Sequence, residues 1–440
     1  MITYRSPIIF FFIALLVSPA FSYAHKGGHS HSEVEKVAIE SPADKEINLY
    51  KTKINKHPED YYYYLKLGES YIQKGREVGQ IGPYQLAEKA IERALELYPD
   101  SYAAYIYLGQ ISSYKHDFHK SINYAKKAIE LRPDKAISYG LQGDAFLELG
   151  MYEEALKAYG LMLYLEPGFY SYSRIAQLKF LWGDTIGAIK AMEKSIDYGN
   201  KMNLPNENIA WAKVILGSFY FNTGELDKAR DYYKEALDIY DNYYLALEHL
   251  AEVNAIKGNF EEAINLYEKT LELNPKPQFY ISLGDIYKSQ GKTEKADRLY
   301  KKAEESYDTI IQDGIKGHSR DLVLFYVDSN KHLDLALDLA LQDSKDTEDI
   351  YAYDTLAWVH FKRNDLDKAQ DAINQSLKLG TKDALLHYHA GMICYSQNKF
   401  KEAKKHFELA LDINPYFDQN KVNESKALIL DINTILVTRK

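Results

Sequence analysis

The feature that most constrains the fold of this chain is a regular sequence period marked by proline. Pro99, Pro133 and Pro167 are equally spaced, and each follows a run of apolar residues at helical spacing. Proline has no N–H and is tolerated only in the first turn of a helix, so each one predicts the end of one helix and the start of the next. Pro275 and Pro415 close similar runs. The chain is therefore predicted to consist of short helical units that repeat along the sequence.

A second residue type keeps the same period inside each unit. These residues are Gly150, Gly183, Gly224, Gly258, Gly291, Asn364 and Asn398. Glycine, and less readily asparagine, adopts the left-handed backbone found just beyond a helix C-terminus. These positions therefore predict where the first helix of each unit ends. Small residues such as Gly143 and Ala155 recur between them, where the two helices of a unit are predicted to cross closely.

The best-formed units occupy residues 139–155 and 216–229, where glycine, aromatic and alanine residues follow one another at fixed offsets. Over residues 60–415 this order resembles the tetratricopeptide-repeat (TPR) family. The resemblance implies an all-α fold, a right-handed superhelical solenoid of about ten TPR helix hairpins with a concave binding face.

Three segments depart from the family pattern. Extra residues between Gly75 and Ala87 predict a long loop in the first unit, and the register is uncertain near 168–200 and 315–345. The predicted segments are 1–24 (signal peptide), 25–42 (flexible His-containing leader), 43–57 (N-terminal capping helix), 58–200 (TPR units 1 to 4), 201–415 (TPR units 5 to 10) and 416–440 (C-terminal capping helix).

The N-terminal segment, residues 1–24, has the composition of a secretory signal peptide. Arg5 precedes an apolar run over residues 8–17, and small residues follow at Ser22 and Ala24. This layout predicts cleavage after Ala24. A retained membrane anchor is the alternative, but the apolar run is well short of the roughly 20 residues that span a bilayer. We therefore expect an extracytoplasmic protein, periplasmic or secreted, with no integral membrane segment after cleavage.

In the TPR family the first helix of each unit lines the concave face, and fixed offsets within that helix point toward the groove. In this chain most residues at those offsets are aromatic, aliphatic or acidic. The predicted groove residues are Tyr62, Tyr114, Asp144, Glu148, Tyr170, Phe180, Trp211, Phe221, Glu248, Glu252, Asp285, Tyr351, Asp354, Trp358, Phe361, Tyr388 and Tyr395.

These residue types predict a partner-binding groove that is aromatic and acidic. Trp211 with Phe221 forms one aromatic cluster, and Trp358 with Phe361 and Tyr351 forms another. Such a groove favours a protein or peptide with hydrophobic anchors and basic flanks. The alternative is that these side chains pack between neighbouring units.

Charge and motif content disfavour other functions. A formal net charge of −9 disfavours nucleic acid as a partner, because phosphate binding needs a face rich in Lys and Arg. The sequence contains none of the zinc-protease, nucleophile-elbow or phosphate-loop motifs that mark common enzyme classes. The single cysteine, Cys394, has no partner for an intramolecular disulfide and is expected to be a packing residue. We therefore predict a scaffold without enzyme activity.

Histidines in the predicted leader raise a second hypothesis. Cleavage after Ala24 would leave His25 as the N-terminal residue, followed closely by His29 and His31. An N-terminal amine and several imidazoles suit copper, nickel or zinc. The chain would then be an extracytoplasmic metal-handling protein whose repeats dock to a transporter or acceptor. Otherwise the leader is an ordinary polar segment and the protein has no cofactor.

Overall fold

A computed structural model of the chain describes residues 41–78, 81–312 and 319–438. All regular secondary structure in these ranges is helical. The helices are α1 (Pro42–Lys56), α2 (Tyr61–Val78), α3 (Ile81–Leu97), α4 (Tyr102–Tyr114), α5 (Phe118–Leu131), α6 (Ala136–Glu148), α7 (Tyr152–Leu165), α8 (Phe169–Leu181), α9 (Thr185–Lys201), α10 (Asn206–Asn222), α11 (Leu226–Ile239), α12 (Tyr244–Ile256), α13 (Phe260–Leu273), α14 (Pro277–Ser289), α15 (Thr293–Gln312), α16 (Ser319–Asp328), α17 (Leu333–Asp346), α18 (Ile350–Lys362), α19 (Leu366–Ser376), α20 (Ala384–Ser396), α21 (Phe400–Ile413) and α22 (Gln419–Thr438).

Helices α2 to α21 follow one another as ten hairpins, and consecutive helices such as α10 and α11 pack against each other. Helix α1 packs against α2, and α22 packs against α21. The prediction of an all-α fold of about ten repeated hairpins is confirmed. The predicted signal peptide and residues 25–40 lie outside the described residues.

The chain divides into two compact units. Their described residues are 41–78, 81–147 and 153–166 in the smaller unit, and 148–152, 167–312 and 319–438 in the larger. The smaller unit has a core around Ile91 and Leu108, both almost fully buried. The larger unit has a core from α14 to α22 that includes Phe407.

Glycine and asparagine end the first helices as predicted. Every predicted position has a positive φ, from 60° at Asn398 to 79° at Gly258. The same position is filled by His116 and Asn330, with φ of 56° and 53°. These two positions were missed in the sequence, although histidine and asparagine are enriched in this conformation. Asn330 precedes Asn364 by the same interval that separates Asn364 from Asn398. Asn330 therefore fixes the register that was uncertain near 315–345.

The first hairpin differs from the sequence prediction. A long loop was expected between Gly75 and Ala87, but α2 continues to Val78 and α3 begins at Ile81. The extra residues lengthen both helices. A Cβ atom on Gly75 would collide with the ring of Tyr84, so this glycine lets the two extended helices approach closely.

Within the larger unit, the ends of hairpins that are six hairpins apart along the chain are in contact. The Thr381 hydroxyl, just before α20, donates to the carbonyl of Leu181 at the end of α8. The Asn414 amide, just before α22, donates to the carbonyl of Phe221 at the end of α10, at 3.0 Å. The last carbonyls of a helix lack intrahelical partners, so these side chains satisfy groups that would otherwise need water. The contact is therefore specific and polar.

Candidate partner-binding surface

All predicted groove residues lie on the first helix of a hairpin, but they differ in exposure. The buried ones are Asp144, Phe180, Trp211, Phe221, Glu248, Glu252, Asp285, Asp354, Trp358 and Tyr388. The exposed or half-buried ones are Tyr62, Tyr114, Glu148, Tyr170, Tyr351, Phe361 and Tyr395. Only the second group presents side-chain surface to a partner in this conformation.

The cluster around Trp358 connects the first helices of successive hairpins. The Trp358 indole N–H on α18 donates to Asp328 Oδ1 at the end of α16, at 2.8 Å. On the other side, the His389 ring of α20 stacks on the indole at a centroid distance of 4.0 Å. His389 Nδ1 lies 2.8 Å from Asp354 Oδ1, one turn earlier on α18. Trp358 is 3% exposed, so its main role is to hold three neighbouring hairpins together.

Helix α22 continues this interface. The Tyr388 hydroxyl donates to Glu424 Oε2 at 2.5 Å, and the Tyr395 hydroxyl donates to Asp431 Oδ2 at 2.6 Å. Burial, followed by the neighbouring Glu424 carboxylate, raises the pKa of Tyr388 well above its ordinary value. Tyr388 is thus committed to an internal hydrogen bond, whereas Tyr395 remains half-buried at the surface.

The cluster around Trp211 is also a packing cluster. Its indole meets the ring of Phe169 edge-on at a centroid distance of 6.3 Å. Phe180 stacks on Phe219 at 4.5 Å, which joins α8 to α10. Trp211 is 7% exposed. Trp211, like Trp358, therefore packs between neighbouring hairpins, which is the alternative that the sequence left open.

Two predicted acidic residues accept hydrogen bonds from tyrosine inside their own hairpins. The Tyr159 hydroxyl donates to Asp144 at 2.9 Å, and the Tyr300 hydroxyl donates to Asp285 at 2.6 Å. In both hairpins a glycine precedes the aspartate, and a Cβ atom there would lie 2.5 to 2.7 Å from the tyrosine ring. The glycine admits the ring, and the aspartate then satisfies its hydroxyl. This pairing was detectable from the sequence as Gly-Asp on the first helix, followed at one fixed offset by Tyr on the second.

The accessible aromatic surface of α18 lies beside Trp358. The Phe361 ring stacks on the indole at a centroid distance of 4.8 Å and is itself half-buried. The Lys362 ammonium lies 5.0 Å from the centre of the indole. Phe361 therefore offers one ring face that is supported from below, which is the arrangement expected of an apolar anchor point.

In the smaller unit the accessible aromatic residue is Tyr62 on α2, at 46% exposure. The Lys66 ammonium lies 5.9 Å from its ring centre and 2.7 Å from Glu69 Oε2. Tyr114 is half-buried and stacks on Tyr84 at 3.8 Å. Tyr62 is thus the predicted residue of this unit with the most freedom to contact a partner.

The start of α20 holds a carboxyl group with a perturbed pKa. Asp383 Oδ1 accepts from the backbone N–H of Leu385 at 2.8 Å and caps the helix. Burial, followed by the charge of Asp354, raises the pKa of Asp383 to about 6 from an ordinary 3.8. Nearby, the Tyr351 hydroxyl is buried without a hydrogen-bond partner among the described residues.

On α12, the predicted residues Glu248 and Glu252 flank a histidine outside the predicted set. His249 Nδ1 lies 3.3 Å from Glu248 Oε2 and 3.5 Å from Glu252 Oε2. Burial would lower the pKa of His249, but the two carboxylates outweigh it and raise the pKa above its ordinary value. The signal in the sequence was Glu-His-x-x-Glu within one helix. The histidines predicted to bind metal, His25, His29 and His31, lie outside the described residues.

Comparison with known families identifies repeats along the chain. Models described as "Tetratricopeptide repeat" match residues 62–101, 113–168, 208–276 and 277–308. A model described as "Anaphase-promoting complex, cyclosome, subunit 3" matches residues 333–410. The match at 62–101 corresponds to the hairpin of α2 and α3, and the match at 277–308 to the hairpin of α14 and α15.

Individual relatives are distant. The TPR repeat-containing protein YpiA of Bacillus subtilis (strain 168) is 24% identical over 327 residues, which cover 67% of this chain and 75% of that protein. The protein O-mannosyl-transferase TMTC1 of Homo sapiens is 25% identical over 222 residues, covering 49% of this chain but only 24% of that protein. Among solved structures, the human IFIT1 dimer with PPP-AAAA matches with 17% identity, a TM-score of 0.48 and coverage of 77% of each chain.

None of the described helices is both long enough and apolar enough to cross a bilayer.

Proposed function

We propose that this tetratricopeptide-repeat protein is an exported scaffold that binds a protein or peptide through the first helices of its hairpins. The repeat matches at both ends of the described chain support a protein-interaction role. The observation that carries the proposal is the supported, accessible ring of Phe361 on a first helix. Because the buried tryptophans hold neighbouring hairpins in place, the ring is presented on a rigid platform, which lowers the entropic cost of binding.

The proposed partner has apolar side chains flanked by basic residues. Apolar anchors suit the free faces of Phe361 and Tyr62, each on its own unit of the chain. The basic flanks suit a chain of net charge −9 and would act mainly on association rate and specificity. Buried residues such as Trp358 support the surface and do not touch the partner.

Peptide binding tests this proposal. Fluorescein-labelled peptides with Leu and Phe anchors and Lys or Arg flanks are titrated by anisotropy, beside matched peptides with Glu flanks. The basic set is expected to bind more tightly, and Phe361→Ala or Tyr62→Ala to weaken binding by about tenfold or more, as removal of an aromatic anchor does. Tyr164→Ala is the control, because Tyr164 is 83% exposed on α7, the second helix of its hairpin.

Two outcomes would overturn the proposed binding mode. One is equal affinity for the two peptide sets, and the other is equal loss of affinity in all three variants. Export is tested separately, by sequencing the N-terminus of the protein isolated from its native cells. The proposal expects His25 as the first residue. An uncleaved Met1 or Ile2 would contradict it.

A further inference from the structure

The strongest unassigned cluster of ligating groups lies on α12, in the sixth hairpin. Glu248 and Glu252 are one helical turn apart, and His249 lies between them. One ligand atom from each residue can be chosen so that all three lie within 4.8 Å of one another. Glu248 and Glu252 are among the predicted groove residues, but the cluster includes neither of the proposed anchor residues, Phe361 and Tyr62, and none of the N-terminal histidines.

The spacing of these atoms fits a small divalent ion. His249 Nδ1 is 3.3 Å from Glu248 Oε2 and 3.5 Å from Glu252 Oε2. Zinc bonds of about 2.0–2.1 Å to nitrogen and oxygen place neighbouring tetrahedral ligands about 3.3–3.4 Å apart. These separations are longer than good hydrogen bonds but close to those of two ligands on one ion.

The hydrogen bonding of the cluster points the same way. Glu252 is 2% exposed, and its Oε2 atom makes no hydrogen bond of good geometry among the described residues, because its contact with His249 Nδ1 is 3.5 Å long. The same holds for His249 Nδ1. A buried carboxylate oxygen without a donor is costly, and metal coordination is one of the few ways to satisfy it. A dication would balance both carboxylates of the cluster, whereas a proton on the imidazole balances only one.

The surroundings hold the imidazole in position. The Tyr233 ring of α11 stacks on His249 at a centroid distance of 5.2 Å and an interplanar angle of 15°. Tyr233 is in turn fixed against α10, where a Cβ atom on Gly217 would lie 2.6 Å from its ring. This stacking restricts the orientation of the His249 ring, and a fixed ring orientation favours metal binding.

We infer that Glu248, His249 and Glu252 form a binding site for a divalent transition-metal ion, with Zn²⁺ as the best fit. One imidazole nitrogen and two carboxylate oxygens are the donor types that zinc accepts, and three protein ligands leave a fourth position for water or a further ligand. A metal ion bound there would hold these three side chains of α12 together and would stabilise the sixth hairpin.

Zinc titration of the full chain lacking only residues 25–32 tests the inference, because that deletion removes His25, His29 and His31. Calorimetry with Zn²⁺ and visible absorption with Co²⁺ are expected to report one bound ion. Glu252→Gln, which keeps the shape of the side chain, should weaken zinc binding by about tenfold or more, as loss of a ligand costs at least as much as loss of an outer-shell partner. His249→Gln should do the same.

Matched controls separate the site from other histidines. His119→Gln removes an exposed histidine outside the cluster and should leave zinc affinity unchanged. Circular dichroism verifies that each variant is folded, and zinc should raise the melting temperature of the His119 variant but not of the Glu252 variant. The inference is overturned if the truncated protein takes up no zinc, or if both cluster variants bind it as tightly as the parent.

Discussion

The substitution Gly183→Ala is predicted to disrupt a contact between hairpins that are six hairpins apart along the chain. Gly183 has a φ of +71°, and an added Cβ would lie 2.8 Å from the backbone oxygen of Gly380. Gly258 is the matched control: its φ is +79°, but nothing lies within 4 Å of an added Cβ. Both substitutions carry the cost of a left-handed alanine, about 1–2 kcal/mol. Only Gly183→Ala adds a collision with backbone that cannot rotate away, worth about 1–3 kcal/mol more.

Hydrogen exchange measures this difference locally, which matters because repeat arrays need not unfold in one step. The amides of Leu385 and Leu386 lie at the start of α20, next to the contact. The extra cost predicts exchange about 5- to 150-fold faster at these amides in Gly183→Ala. In Gly258→Ala they should keep the parent rate. Equal exchange in the two variants would refute the proposed contact between the end of α8 and the start of α20.

Three further predictions test the interior of the hairpins. The pKa of Asp383 is raised to about 6 from an ordinary 3.8, so the folded protein binds this proton more tightly than the unfolded chain does. The free energy of unfolding should therefore fall by about 1–2 kcal/mol as pH rises from 4 to 6, after allowance for partial exposure. Urea titrations at each pH measure this slope, and Asp383→Asn should flatten it. Tyr300→Phe removes the hydroxyl that donates to Asp285 and should cost about 1–3 kcal/mol by denaturation; no loss would show that another donor replaces it. Arg320→Met leaves two aspartates without their cation and should cost about 3–5 kcal/mol, whereas an unchanged melting temperature would contradict a structural ion pair.

Much of the fold could be predicted because the positions where its helices end depend on local backbone preferences. Each proline marker lies just beyond the end of a second helix, as Pro133 does after α5 ends at Leu131. Each glycine marker has the positive φ that its position requires. The rule failed where other residues take the same conformation, as His116 and Asn330 do. A left-handed residue that is not glycine can be recognised only by its place in the period.

The exposure of the candidate site could not be predicted from the same offsets. The offsets placed Trp358 on the correct helix, but they could not reveal that Asp328 and His389 would enclose it. Those partners come from neighbouring hairpins, so their approach depends on how the hairpins stack. The contact of Thr381 with Leu181 joins residues that are 200 positions apart, so no local sequence pattern could predict it. Long-range packing decides which aromatic residues remain available to a partner.

The most direct test of the scaffold proposal is site-specific photocrosslinking in the native cell. A benzophenone amino acid is placed at Phe361, at Tyr62 or at the control position Tyr164. We predict that the first-helix positions crosslink a defined protein, that added basic apolar peptide competes for the crosslink, and that position 164 gives none. Crosslinks of equal yield at all three positions, or none at the two first-helix positions, would contradict partner binding through the first helices.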